Sequence, residues 1–99
     1  MIARIWHGKT SIKNYDSYTN FLKRVAIPDY NQTPGFKGLS FLRNLVNNEG
    51  HFYLITYWEN IDAIKNFAGK DFEKPKYYPE DKSFLLELEK KVVHYEVFA

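Results

Sequence analysis

The chain has 99 residues, of which 44% are hydrophobic and 18% aromatic, with a net charge of +2 from 14 basic and 12 acidic side chains. That length suits a single domain over residues 1–99, and so aromatic a composition excludes a disordered chain. The absence of cysteine excludes disulfides, thiolate nucleophiles and cysteine metal sites and suits a reducing, cytoplasmic setting, while the near balance of charge gives no reason to expect nucleic acid or an anionic membrane as partner.

Ile2 to Gly8 alternates loosely and is rich in β-formers, which predicts a first strand. No basic region followed by an apolar stretch opens the chain, so a signal peptide is not expected. Asn14 is a good helix cap, and Tyr15, Tyr18, Leu22 and Val25 then form one apolar stripe. Pro28 should kink or restart that helix. Thr33-Pro34-Gly35 is a turn, and Phe36 to Leu45 reads as a second strand. Asn47-Asn48-Glu49-Gly50 has hairpin chemistry and leads into a third strand from His51 to Trp58. The longest apolar run lies there and is far shorter than the roughly 20 residues of a membrane span.

Asn60 caps a second helix with Ile61, Ile64 and Ala68 on one face, and Gly69 is placed to end it. Asp71 to Leu88 is broken by Pro75 and Pro79, with Asp81 able to start a short turn before Leu85. Lys90 to Phe98 is the last predicted strand. The order βαββαβ is the ferredoxin-like pattern, an α+β fold with a four-stranded antiparallel sheet and helices on one face.

The first and last strands should be neighbours. A register in which residue numbers sum to about 100 sets Arg4 opposite Glu96 and Trp6 opposite His94. In that reading the small and branched side chains Ala3, Ile5 and Val93, with His7 at the rim, lie under the helices. Ile2, Arg4, Trp6, His94, Glu96 and Phe98 then form an open face, too apolar to stay wet, that meets a second copy in a homodimer.

At the residue level the chain resembles the antibiotic biosynthesis monooxygenase-like family of dimeric α/β barrels over nearly its whole length. The resemblance is carried by Ile2-Ala3-Arg4-Ile5-Trp6-His7-Gly8, by Thr33-Pro34-Gly35-Phe36 with Gly38, by Tyr57-Trp58-Glu59, and by Ala63-Ile64-Lys65-Asn66-Phe67. Tyr77-Tyr78-Pro79-Glu80-Asp81 and His94-Tyr95-Glu96-Val97 look like a subgroup of small bacterial proteins. The family implies a homodimer and a pocket between each sheet and its own helices. Some members oxidise aromatic substrates with oxygen and no cofactor, and others bind and degrade haem. The haem degraders' Asn, Trp and His fall here on His7, Phe67 and Tyr77, all of which differ.

The function expected is therefore a cofactor-independent monooxygenase of a small phenol- or quinol-like aromatic molecule. His7 and Tyr77 are its expected catalytic residues, and Trp58, Phe67, Tyr78 and Arg43 are the pocket. A histidine suits the base because its ordinary pKa is about 6.5, and a tyrosine offers a donor on an apolar body. The other reading is a non-catalytic or stress-related small-molecule binder on the same fold. His7, His51 and His94 have no ligand spacing, so no metal is expected. Lys37-Gly38-Leu39-Ser40-Phe41-Leu42 faintly resembles an RNA-recognition motif, but lies on the second strand where that module uses the third.

Overall fold

The computed structural model describes all 99 residues. Strand β1 (Ile2–Ser11) leads through a short 3₁₀ turn, Ile12–Asn14, into helix α1 (Tyr15–Phe21). A wider π turn, Leu22–Ala26, joins α1 to α2 (Ile27–Asn31). Pro28 has no N–H to offer the Arg24 carbonyl, and its ring crowds that carbonyl in a regular helix. The wide turn directly before it relieves the crowding, so the helix restarts rather than stops. Asn14 makes no side-chain cap bond. The buried stripe is Tyr18, Phe21, Leu22, Ala26 and Tyr30, so it continues past the proline.

β2 (Phe36–Val46) and β3 (Glu49–Trp58) form a hairpin whose turn residues, Asn47 and Asn48, both have positive φ, 51° and 62°. Asparagine tolerates that region better than most residues. Helix α3 (Ile61–Ala68) is capped by Asn60, whose side chain accepts from the Ala63 N–H, and ends at Gly69 with φ 87°. A strap from Gly69 to Val92, holding only the short helix α4 (Asp81–Phe84), crosses back before β4 (Val93–Glu96). The sheet is antiparallel in the order β2-β3-β1-β4, which is the ferredoxin-like arrangement.

The last strand is shorter than expected because Val92 turns inward and its N–H bonds the Glu73 carbonyl. The register also differs by two. Arg4 pairs with His94 and Ile2 with Glu96. An even offset keeps the same residues on a common face. Which face the helices cover is nevertheless the reverse of the expectation. Trp6 is cross-strand from Leu54, and Phe52, Leu54 and Trp58 project with it into the core against Tyr18, Phe21, Ile64 and Phe67. Burying a tryptophan removes far more apolar area from water than burying Ala3 or Ile5. The helices therefore sit on the large side chains.

The expected interface role of Arg4 and Trp6 is corrected accordingly. Arg4 and Trp6 are only 3% and 8% exposed, covered by the chain's own strap and helices. Ile2, His94 and Glu96 project on that same side, and Phe98 lies beyond β4 at 94% exposure. The uncovered face carries Ile5, His7, Leu42, Tyr53, Ile55, Val93 and Tyr95.

Candidate functional site: the cleft under the strap

The cleft lies between the helix side of the sheet and the π turn with α2, and the strap roofs it. The strap is held by its own backbone as much as by side chains. The Arg4 guanidinium donates from Nη1 to the Phe72 carbonyl and from Nη2 to the Lys74 carbonyl, the latter at 2.9 Å. The Leu86 N–H reaches the Lys9 carbonyl at 2.9 Å. Asp29 on α2 accepts from Lys76 Nζ at 2.7 Å and from the Tyr78 hydroxyl at 2.6 Å. Burial pushes the Asp29 carboxyl up, but those two bonds and the Lys76 charge outweigh it and hold it below its usual range.

Tyr77 is the strap residue that enters the cleft. Its ring meets Trp6 edge to face at 6.2 Å between centroids, and its hydroxyl accepts from Trp6 Nε1 at 3.2 Å. The same hydroxyl donates to the Glu89 carbonyl at 2.7 Å. Behind it a cavity of ≈ 30 Å³ remains. That is room for a water or two, not for an aromatic ring. Its walls include Arg4, Trp6, Tyr30, Leu54, Phe67 and Asp81.

Asp81 is the one carboxylate on this wall and is 3% exposed. Burial raises its carboxyl above the usual range, although the Tyr78 N–H at 2.6 Å and the Tyr18 hydroxyl at 3.4 Å both bond to it. Burial likewise raises the phenols of Tyr18, Tyr77 and Tyr78, so all three remain protonated at neutral pH. Arg4 has no carboxylate within ion-pair distance. His94 Nε2 accepts from Arg4 Nη1 at 3.1 Å, and burial followed by the Arg4 charge holds that imidazole below its ordinary pKa.

The structure brings Phe67, Tyr77 and Tyr78 together at this cleft and moves three other expected residues elsewhere. His7 is on the opposite face of the sheet, because odd positions of β1 point away from the helices. There its Nδ1 lies 2.7 Å from Glu89 Oε2 and its Nε2 3.0 Å from His51 Nδ1, over the Tyr53 ring. Trp58 is fully buried, and its indole N–H donates to Thr56 Oγ1 at 2.9 Å. It is core and does not line the cleft. Arg43 stacks over Tyr15 and bonds Asp16 and Thr19, beside a separate surface hollow between the π turn and β2.

The cleft residues that escape the sequence reading include Arg4, Trp6, Tyr30 and Asp81. Tyr30 is within reach of it, since Tyr18, Leu22, Ala26 and Tyr30 repeat every fourth residue straight through Pro28. The even residues of β3, more apolar than the odd ones, likewise mark the side on which Trp6 belongs. No local signal marks a buried arginine.

No helix is long and apolar enough to cross a membrane. By sequence, the chain matches no family profile and no curated protein. Solved structures do match it. A protein from Nitrosomonas europaea assigned as an antibiotic biosynthesis monooxygenase superposes with a TM-score of 0.73 at 12% identity, over 100% of both chains. The haem degrader MhuD from Mycobacterium tuberculosis, with two haems bound in its active site, gives 0.67 at 16% identity over 100% of this chain and 97% of that one. A Bacillus cereus protein, also assigned as an antibiotic biosynthesis monooxygenase, gives 0.60 at 14% identity over 99% and 95%. The chain therefore has the antibiotic biosynthesis monooxygenase-like fold.

Proposed function

We propose that the protein is a small cofactor-independent monooxygenase, acting in the cytoplasm on a phenol or quinol held in the cleft under the strap. The observation that carries this reading is that the cleft already holds a phenol, that of Tyr77. The Trp6 indole N–H donates to its oxygen and the Trp6 face takes its ring edge. When the strap lifts, a substrate phenol takes the place of Tyr77 and inherits the same donor. Tyr77 is then a gate, and Trp6 Nε1 is the donor to the oxyanion that develops.

The chemistry needs a proton acceptor and an electron-rich ring. Asp81, buried and carrying a raised pKa, is the acceptor on the cleft wall. The phenolate passes four electrons to dioxygen. One oxygen atom enters the ring carbon as a second carbonyl, and the other leaves as water with two hydrogens from the substrate. Phenol plus dioxygen thus gives quinone plus water, with no external reductant.

Haem does not suit these residues. The cleft wall has no histidine, cysteine or methionine, and its tyrosines are held as neutral phenols by burial. The uncovered sheet face, with Leu42, Tyr53, Val93 and Tyr95 between 41% and 53% exposed, supports a homodimer formed through that face. Oxygen uptake by chelator-treated protein, measured across a panel of polycyclic phenols, tests the activity. Quinone carrying one atom from labelled dioxygen is expected. Phenols that bind without any oxygen uptake would leave a binding protein instead.

A further inference from the structure

Arg4 and Tyr30 both line the cleft cavity, with hydrogen-bonding capacity that the protein does not use. Arg4 has five N–H groups, and the three bonds to Phe72, Lys74 and His94 leave two without a protein acceptor. Its charge is buried, with no carboxylate beside it. A buried cation without a counter-charge is costly, and burial lowers the guanidinium pKa accordingly. Tyr30 is 8% exposed and lines the cavity, and its hydroxyl makes no hydrogen bond to the protein. Its ring is fixed by stacking on Phe67 at 4.3 Å and Phe36 at 5.6 Å. Arg4 and Tyr30 therefore line one small, largely apolar space, each with donor capacity that no protein group takes up.

We propose that this cavity binds the ionised oxygen of an acidic aromatic ligand, with Arg4 supplying the counter-charge and the Tyr30 hydroxyl a hydrogen bond. The inference rests on the reading that the cleft admits an aromatic ring, and it adds what that ring must carry. A carboxylate seated here completes the arginine without displacing any of its present bonds. Its ring then extends outward along Trp6 and Phe67, through the space that Tyr77 fills in the closed strap. Asp81, on the same wall, works against a second negative group, so the site favours a monoanion.

Calorimetric titration with 2-naphthoate and 2-naphthalenemethanol tests this. The two probes have similar shape, and neither is a phenol that can be oxygenated. The wild-type protein should bind the acid at least about tenfold more tightly than the alcohol, as charge-assisted bonds require. Arg4→Gln should abolish the preference. Because Arg4 also holds the strap, Tyr30→Phe provides the cleaner variant. It keeps the ring and should reduce the preference by about threefold or more. Equal affinity for the two probes in the wild type, or an unchanged ratio in Tyr30→Phe, would overturn the inference while leaving the aromatic cleft intact. Binding of neither probe would remove the cleft reading itself, and this inference with it.

Discussion

Removing the Tyr77 side chain should create a hole that phenol fills. A fully buried aromatic costs about 3–5 kcal/mol when cut to alanine. Tyr77 is half-buried, so the lost packing comes to ~2 kcal/mol. Its hydroxyl makes two bonds, at 3.2 and 2.7 Å, whose loss adds about 1 kcal/mol each. Tyr77→Ala should therefore lose ~4 kcal/mol, and Tyr77→Phe about half of that. In a domain of this size that lowers Tm by more than ~12 °C for the alanine variant. Phenol at about 100 times its Kd should return ~2.7 kcal/mol, read as a rise in Tm of about 10 °C or more. Toluene has the same shape but no acceptor, so it leaves Trp6 Nε1 unpaired, at a cost of ~1–3 kcal/mol. It should bind about tenfold more weakly or worse. Thermal denaturation of Tyr77→Ala with each compound decides the matter. Equal stabilisation by toluene and phenol, or none by either, would refute the account of Tyr77 as an internal phenol.

In the proposed homodimer, Tyr53→Glu on the uncovered face should give a folded monomer in analytical sedimentation, whereas Trp6→Glu should unfold the chain by circular dichroism because it buries a charge in the core. The depressed pKa of His94 means that, as pH falls, the unfolded chain takes up its proton first, near pH ~6.5. That contribution to stability is complete above about pH 6.5 and is lost as pH falls through the folded-state value. The fall in Tm between about pH 7.5 and 5.5 should therefore be shallower in His94→Asn than in the wild type, and parallel curves would contradict this. Gly35→Ala should lower Tm by about 5 °C or more, since Gly35 has φ 86° and an added Cβ would meet Ala63 Cβ at 2.3 Å.

The hairpin, the second helix and the order of elements are legible in the sequence because local chemistry specifies them. Asn47-Asn48 suits positive φ, Asn60 caps a helix start and Gly69 an end. Strand parity is legible as well, since Arg4, Trp6, His94 and Glu96 do share a face. The side covered by the helices is misread when β1 is weighed alone. Trp6 is bound to the choice made in β3, where Phe52, Leu54 and Trp58 all project the same way. That one reversal takes His7 out of the cleft. The strap has no period to read. Its path depends on long-range bonds such as Arg4 to the Phe72 carbonyl and Val92 to the Glu73 carbonyl.

The chain contains two tryptophans, and their indole N–H groups report on different places. That of Trp6 is bonded to the Tyr77 hydroxyl in the cleft, while that of Trp58 is bonded to Thr56 in the core. In ¹⁵N-edited NMR, titration with 2-naphthol should shift the Trp6 indole signal along a saturable curve and leave the Trp58 signal in place. A Trp6 signal that stays unmoved at saturating naphthol would contradict the claim that a substrate phenol replaces Tyr77.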